Sequence, residues 1–230
     1  LLKYGVPYFW GNVGILYDKA NNPELEDLIL TEGWNVLLNS NYDIMLYDSS
    51  RDMFMIAIKA LYENVSINSP SDSELIAARN WLVDAYGSNA VFLTDEVFDV
   101  MLKPAQYQMA VVYSGDGVYL MDENEDLDYI VPHQGTNIWV DAFAIPKNSQ
   151  QVDLAYEFIN YMLDFDVAFD NAYEIAYTSP RADIIAAIIE DEIYDAASYV
   201  ITISYRDEFF RYDTQLKARI EQAWAIVRSS

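Results

Sequence analysis

Stretches with the pattern of buried strands alternate along this chain with stretches that carry apolar residues at helical spacing, and this alternation restricts the possible folds more than any other feature. The apolar run 43–47 precedes a helical pattern over 53–61, and a second helical pattern over 72–86 precedes the strand patterns 90–93 and 108–113. Chains that alternate in this way fold with helices packed on a sheet. The sequence therefore predicts an α/β fold with a largely parallel sheet, in which ligands bind beyond the carboxyl ends of strands.

Two of the predicted strands end in polar residues, where such a fold holds its ligands. The run 43–47 ends at the segment 48–50, and the run 108–113 ends at the segment 114–117. Ser49 and Asp52 have the spacing of an N-terminal helix cap, so the helix over 53–61 is expected to begin beside the first of these strand ends.

The remaining elements follow from the same patterns. Ser71 and Glu74 have capping-box spacing, Gly87 is expected to end the helix 72–86, and Pro180 is expected to precede a new helix. The other predicted strands are 6–17, 127–131 and 136–145, and the other predicted helices are 31–38, 94–102, a segment that starts at 151, 167–173, 183–189 and 216–227.

The size of the chain allows one large domain or two small ones. Its 230 residues, 53% of them hydrophobic, are enough for a sizeable core. The longest apolar runs, such as 109–113 and 184–189, are far shorter than the ~20 residues that cross a bilayer. The sequence opens with strand-like residues, without Met or a signal-peptide pattern, so we interpret it as a piece of a longer chain. It has no cysteine, which excludes disulfides and thiolate chemistry.

The charge of the chain restricts its partners. Thirteen basic and 37 acidic side chains give a formal net charge of −24. Such a field repels nucleic acid and anionic membranes and attracts cations. We therefore expect no nucleic-acid partner, and a cationic ligand is favoured.

A metal site is not expected, although one acidic segment looks like the start of a calcium loop. The segment 122–128 has the alternating oxygen ligands that open an EF-hand, but the sixth position is Leu127 instead of Gly and the twelfth is His133 instead of Glu. His133 is also the only histidine, so no Ser-His-Asp triad or multi-histidine metal site can form. We expect neither a metal nor a cofactor.

Catalysis is also disfavoured. Asp48 and Asp52 are four residues apart and could form an acid-base pair of carboxylates. Their location at a strand end and a helix start suits capping and cation binding equally well. We expect a binding protein rather than an enzyme.

Trp139 and Asp141 form the most informative pair in the sequence. They are two residues apart on a predicted strand and so point to the same face of the sheet. A carboxylate accepts charge-assisted hydrogen bonds from an alkyl ammonium, and an indole face covers a methylene chain and attracts a cation. The pair therefore suits a linear diamine, although, taken alone, a Trp in the core beside an Asp in a turn is the more ordinary arrangement.

Five short segments occur in an order that resembles one known family. They are LKYGVPYFWG at 2–11, YSGD at 113–116, IWVDAFAIP at 138–146, AYEFINYML at 155–163 and YTSP at 177–180. Their order resembles that of the spermidine/putrescine-binding proteins of ABC importers, which belong to the two-lobed periplasmic-binding-protein superfamily. The resemblance runs from one end of the chain to the other.

The resemblance implies a periplasmic-binding-protein-like type II fold with one complete lobe plus part of the other. Residues 1–11 would cross between the lobes, and 12–136 together with 181–230 would form the complete second lobe. Residues 137–180 would be the returning part of the first lobe.

The resemblance begins at the first crossing between the lobes, so one wall of the family's ligand cleft would lie outside these 230 residues. We therefore expect weak ligand binding by this chain. We also expect exposed apolar faces at Phe158, Ile159 and Met162, with possible self-association of the chain as the result.

The resemblance also implies a set of ligand-binding residues, each matched by its place in a family motif. Trp139 and Asp141 are unchanged in type, whereas Asp52 is one methylene shorter than the Glu of some members. Ser49 stands where some relatives have an Asp that holds a terminal amine, and Asp116 would supply that charge instead. The aspartates would bind ammonium groups and the aromatic side chains would form a wall. The complete expected set is Ser49, Asp52, Tyr113, Asp116, Trp139, Asp141 and Tyr177.

The function implied is capture of spermidine or putrescine for uptake through an ABC-transporter permease, by a protein that is periplasmic or extracellular and membrane-anchored. Three alternatives stay open. One is a binder of another small cation or organic ligand in the same fold, such as iron or a thiamine-like compound. The second is an acidic sensor or interaction module without a transport role, and the third and weakest is a carboxylate-pair hydrolase.

Overall fold

The computed structural model describes residues 4–87, 89–93, 96–101, 103 and 106–230, and within them the chain forms one mixed sheet flanked by helices. The strands are β1 (Val6–Asp18), β2 (Ile44–Tyr47), β3 (Ala90–Leu93), β4 (Met109–Tyr113), β5 (Leu127–Ile130), β6 (Asn137–Phe143) and β7 (Glu208–Phe209). The helices are α1 (Leu25–Glu32), α2 (Ser50–Leu61), α3 (Asp72–Tyr86), α4 (Val97–Val100), α5 (Ser114–Glu123), α6 (Val152–Met162), α7 (Phe165–Ile175), α8 (Ala182–Glu190), α9 (Ala196–Tyr199) and α10 (Thr214–Val227). The predicted α/β class is confirmed.

The long strand β1 connects the two halves of the sheet. Its first part, from Val6 to Asn12, pairs with β6, and its second part, from Val13, pairs with β4 and β5. The strand order is β3-β2-β4-β1-β6-β7, with β5 also paired to β1. One uninterrupted strand therefore holds both groups of elements in a fixed relation.

The prediction of a largely parallel sheet is wrong. β2 pairs in parallel with β3 and β4, and β6 with β7, but β1 is antiparallel to β4, β5 and β6. From Gly11 to Asp18 every residue of β1 is buried. A strand that is covered on both faces has no alternation of apolar and polar residues from which its pairing could be read.

Several predicted helices are confirmed where a local signal marks their ends. Ser71 caps α3 in a full capping box with Glu74, and Gly87 follows its last residue. Asp213 caps α10 by accepting a hydrogen bond from the Leu216 backbone N–H at 2.7 Å. These side chains satisfy backbone donors that the first turn of a helix leaves without partners.

Other predictions differ from the structure. The predicted helix 31–38 is instead the end of α1 followed by a 3-10 helix, Gly33–Leu38, and Gly33 has a φ of 59° that breaks the α-helix. The predicted helix 94–102 is seen as α4, and positions 94, 95 and 102 lie outside the described residues. The segment 114–117 is the first turn of α5, which was not predicted.

The buried side chains form three clusters. The largest packs α1–α3 and α10 against β1 and β2, and a second lies under α4 and α5. The third joins α7 and α8 to Phe9 and Val118. Because this last cluster includes residues on both sides of position 180, packing is continuous across the lobe boundary expected there. None of the helices in the described ranges is long and apolar enough to cross a membrane.

Most residues of helix α6 are exposed. Phe158 is 53% exposed, as expected, but Ile159 is only 7% exposed and Met162 is half-buried. The expectation of an exposed apolar face is therefore wrong for Ile159. The exposed apolar residues of α6 are Val152, Leu154, Tyr156, Phe158 and Tyr161.

Candidate functional site

A cleft of about 210 Å³ opens where β2 and β4 end, beside β6. It brings together five of the seven expected binding residues, which come from α2, β4, β6 and the segment after α7. The residues that line the cleft are Arg51, Asp52, Tyr113, Asn137, Trp139, Asp141 and Tyr177. The predicted location of a ligand site beyond strand ends thus coincides with a cleft of mixed carboxylate and aromatic lining.

Asp52 is the buried carboxylate of this cleft, at 1% exposure. It accepts hydrogen bonds from the Tyr113 hydroxyl at 2.9 Å, the Ser49 hydroxyl at 2.6 Å and the Asn137 amide at 3.2 Å. All three donors are neutral, and Asp52 forms no ion pair with any described residue. A buried anion that is held only by neutral donors stabilises a cation that enters beside it.

The hydrogen bond from Tyr113 is fixed in direction. Burial first, and then the neighbouring Asp52 carboxylate, raise the pKa of Tyr113 far above its usual range. The phenol therefore stays neutral and always donates to Asp52. The ring also packs edge-on against Tyr47, at 4.9 Å between centroids, so the ends of β4 and β2 are held together.

Three cleft residues lie on the same face of β6. Asn137, Trp139 and Asp141 are each two residues apart, and all three line the cleft. Asn137 was not predicted, although it lies two residues before Trp139, at the same spacing that separates Trp139 from Asp141. Its side chain is 1% exposed, and its Oδ1 has no hydrogen-bond partner among the described residues.

Trp139 packs against its neighbours and also lines the cleft. Its indole N–H donates to the Asn12 carbonyl oxygen at 3.2 Å, and its ring lies 5.8 Å from Tyr113 and 5.1 Å from Tyr177 between centroids. Gly11 on β1 makes this position possible, because a Cβ there would overlap the indole. The half-buried ring forms the centre of an aromatic wall.

Asp141 lies at the open side of the cleft. No hydrogen bond or ion pair to its carboxylate is found among the described residues, and partial burial raises its pKa. A cation that binds a partly desolvated carboxylate without a partner stabilises its charged form. Asp141 is thus available to a ligand in a way that Asp52, with its three donors, is not.

Asp116 lies behind the aromatic wall instead of in the cleft. The hydroxyl of Tyr177 donates to Asp116 Oδ1 at 2.8 Å, and Asp116 lines a separate cavity with Phe98, Tyr119 and Glu174. Burial and then this carboxylate raise the pKa of Tyr177 far above its usual range. Asp116 therefore holds the hydroxyl of Tyr177 and does not itself line the cleft, whereas the Tyr177 side chain does.

Ser49 also lies outside the cleft lining. It caps α2, accepts from the Asp52 backbone N–H at 3.5 Å and donates to the Asp52 carboxylate. Arg51, in contrast, lines the cleft although no sequence motif pointed to it. Only its position next to Asp52 in the sequence indicated that Arg51 could lie near the cleft.

The two acidic segments considered in the sequence lie in different surroundings. Asp48 pairs with Arg228 at 3.0 Å, whereas Asp52 is held by Ser49 and its neighbours, so the two carboxylates have separate partners. The segment 122–128 includes the end of α5 and the start of β5. Across the described ranges, no three His, Cys, Asp or Glu side chains are grouped as a metal site would require.

One protein family matches most of the chain. The family described as bacterial extracellular solute-binding protein matches residues 3–197. The chain is 27% identical over 180 residues to the spermidine/putrescine-binding periplasmic protein of Escherichia coli, and the match covers 77% of this chain and 50% of that protein. It is 30% identical over 204 residues to the norspermidine sensor of Vibrio cholerae, with 86% of this chain and 55% of that protein covered.

Solved structures agree with the fold. A spermidine/putrescine ABC transporter protein from Listeria monocytogenes superposes with a TM-score of 0.81 at 29% identity, over 98% of this chain and 69% of that one. The spermidine/putrescine ABC transporter substrate-binding protein of Streptococcus pneumoniae gives 0.76 at 26% identity, over 99% and 69%. The chain spans about half the length of the curated relatives from Escherichia coli and Vibrio cholerae.

Proposed function

The chain belongs to the bacterial extracellular solute-binding proteins, and from that premise we propose that it captures a linear polyamine, such as spermidine or putrescine, in the cleft lined by Asp52, Trp139 and Asp141. One observation carries the proposal. A partly desolvated carboxylate without a described partner, Asp141, lies on the same face of β6 as a half-exposed indole.

This arrangement fits the two chemical parts of a polyamine. Each ammonium group needs an anionic acceptor, and Asp141 and the buried Asp52 supply two in one cleft. The methylene chain needs an apolar surface that also attracts positive charge, which the ring faces of Trp139, Tyr113 and Tyr177 provide. The net charge of −24 draws such a cation toward the chain.

Asp116 and Ser49 contribute indirectly, because each holds a side chain that lines the cleft. Tyr177 is held by Asp116 and presents its ring to the cleft, while Ser49 orients Asp52 through a 2.6 Å hydrogen bond. In this proposal Asp116 and Ser49 are positioning residues. The ligand touches Asp52, Tyr113, Trp139, Asp141 and Tyr177.

The biological role proposed is uptake through an ABC-transporter permease, from a periplasmic or other extracytoplasmic location. The similarity to polyamine-binding periplasmic proteins supports this role. In the same proposal residues 12–136 and 181–230 form one lobe, and 137–180 return from the other. The exposed apolar residues of α6 would then contact further parts of the first lobe or, without them, a second copy of the chain.

A sensor is the second candidate, because the relative with 30% identity is a norspermidine sensor. Both functions begin with polyamine capture in the same cleft. They differ in the protein that recognises the loaded form, a permease in one case and a signalling partner in the other.

A thermal-shift panel tests polyamine capture. Putrescine, spermidine and spermine should each raise the melting temperature, by more the tighter they bind at equal concentration, while neutral sugars should leave it unchanged. A shift with a sugar and none with the three amines would favour a different organic ligand in the same fold.

A further inference from the structure

A second cavity, of about 440 Å³, lies between α2 and α10 and is bordered by the segment 210–213. Its apolar floor consists of the half-buried Phe210 and Leu216 together with buried side chains: Phe54, Met55, Ile58, Ile67 and Ile220. The volume is within the range of about 300–1,000 Å³ that is usual for small-molecule sites, and an apolar floor is typical of them.

Three cationic side chains surround this floor. Arg51, Arg211 and Lys217 all line the cavity, and none of them forms an ion pair within the part of the chain that the structure describes. In a chain with 37 acidic and 13 basic residues, carboxylates are abundant. Three cations at one cavity without such partners are therefore available to an anion from outside.

The two carboxylates that line the same cavity have local hydrogen bonds. Asp213 caps α10 by accepting from the Leu216 N–H at 2.7 Å, and Glu221 accepts from the Ser50 hydroxyl at 2.8 Å. Both are thus held by neutral donors of the cavity wall. The cavity lining carries three positive and two negative groups, whereas the cleft has one cation, Arg51, for its two carboxylates.

The cationic side of the cavity is anchored. Arg51 stacks on the Phe210 ring, 4.3 Å from guanidinium carbon to centroid. Asn68 holds the same segment from the other side, because its Oδ1 accepts from the Arg211 N–H at 2.6 Å and its Nδ2 donates to the Phe209 carbonyl at 2.9 Å. These contacts fix the backbone next to the cations before any ligand arrives, which lowers the entropic cost of binding.

We propose that this cavity binds a small organic anion that carries a carboxylate on an apolar body. The carboxylate is held by Arg211, Lys217 and Arg51, and the apolar body lies on Phe210, Leu216 and Ile220. The overall negative charge of the chain does not prevent this, because charges farther than the ~8 Å Debye length at physiological salt are largely screened.

Arg51 is the residue that separates the two sites. Among the described residues it alone lines both the cavity and the cleft, and it lies at the start of α2. On one side are Asp52 and Asp141, which suit a cation, and on the other are Arg211 and Lys217, which suit an anion. The two sites therefore select ligands of opposite charge a short distance apart.

The test uses hexanoate, its neutral match hexanamide and its cationic match hexylammonium, each titrated into the 230-residue chain and followed by ¹H–¹⁵N NMR. Hexanoate should produce saturable shifts at residues of α10 and the segment 210–213, and hexanamide should bind several-fold more weakly. Because exposed ion pairs contribute about 0.2–1 kcal/mol, Arg211→Gln and Lys217→Gln should each weaken hexanoate binding about 1.4- to five-fold. Added salt should weaken it further.

Lys147→Gln is the matched control, since Lys147 is exposed on the loop after β6 and away from the cavity lining. It should leave hexanoate binding unchanged, and the Arg211 and Lys217 variants should leave spermidine binding unchanged. Equal affinity for hexanoate and hexanamide, or no effect of either cation variant, would overturn the inference. Loss of spermidine binding in Asp141→Asn with hexanoate unaffected would confirm that the two sites are independent.

Discussion

The hydroxyl of Tyr113, at the end of β4, donates a 2.9 Å hydrogen bond to Asp52, in the first turn of α2. This bond joins two elements that are 61 residues apart in sequence, and it forms where two parallel strands end. It keeps a buried carboxylate in place without neutralising it. The cleft therefore retains a negative charge that a cationic ligand can use.

Asp141→Asn should weaken spermidine binding by at least ~1.5 kcal/mol, about ten-fold, because a hydrogen bond to a charged group is typically worth ~1.5–3 kcal/mol. Asp153→Asn is a matched control on the exposed face of α6. Calorimetry on the two variants compares the loss of the same charge inside and outside the cleft. Equal affinities for both would remove Asp141 from the site.

Trp139→Ala should cost more affinity than Trp139→Phe, because phenylalanine keeps a ring face for the methylene chain and the cation. Both variants lose the indole hydrogen bond to the Asn12 carbonyl, so this loss cancels in the comparison. Measured binding constants for spermidine give the difference. If the two variants lost the same affinity, Trp139 would serve packing alone.

Gly115→Ala should displace Tyr177, because a Cβ at position 115 would overlap the Tyr177 ring. The variant is expected to lower both thermal stability and polyamine affinity, since Tyr177 is part of the aromatic wall. Gly87→Ala is the control: a Cβ there meets only backbone oxygens at 3.4 and 3.6 Å, and its φ of −69° suits alanine. A Gly115→Ala variant with unchanged affinity would show that the position of Tyr177 is not critical.

The affinity for spermidine should fall with decreasing pH, and Asp141 should contribute to this fall at a higher pH than an ordinary carboxyl group, because burial raises its pKa. A bound ammonium favours the ionised form, so protonation and binding compete. Asp141→Asn should remove this part of the pH dependence. Identical pH profiles for the variant and the original chain would contradict the assignment.

The same raised pKa has a consequence for stability without ligand. A carboxyl whose pKa is higher in the folded than in the unfolded state makes folding less favourable as it ionises, so its contribution is lost as pH rises. Asp141→Asn should therefore not destabilise the free chain at neutral pH, although it weakens binding. Thermal unfolding at pH 7 measures this, and a lowered melting temperature would indicate a structural role.

Sequence patterns predicted the parts of the molecule that depend on neighbours along the chain. The box of Ser71 and Glu74 located α3, and the two-residue spacing of Trp139 and Asp141 placed both in one cleft. The direction of β1 could not be predicted, because its buried stretch has no alternation. The location of Asp116 behind Tyr177 depends on α5 and the segment after α7 meeting in space, which no local pattern encodes.

The central claim is that a polyamine binds against Trp139 and Asp141, and the indole N–H resonance of Trp139 reports on it most directly. That resonance is identified by its loss in Trp139→Phe. Because the cleft is open on one side, we expect weak binding that still shifts this resonance saturably with spermidine and not with uncharged heptane-1,7-diol. Asp141→Asn should raise the Kd about ten-fold. An indole resonance that does not move while spermidine shifts other parts of the spectrum would contradict the account.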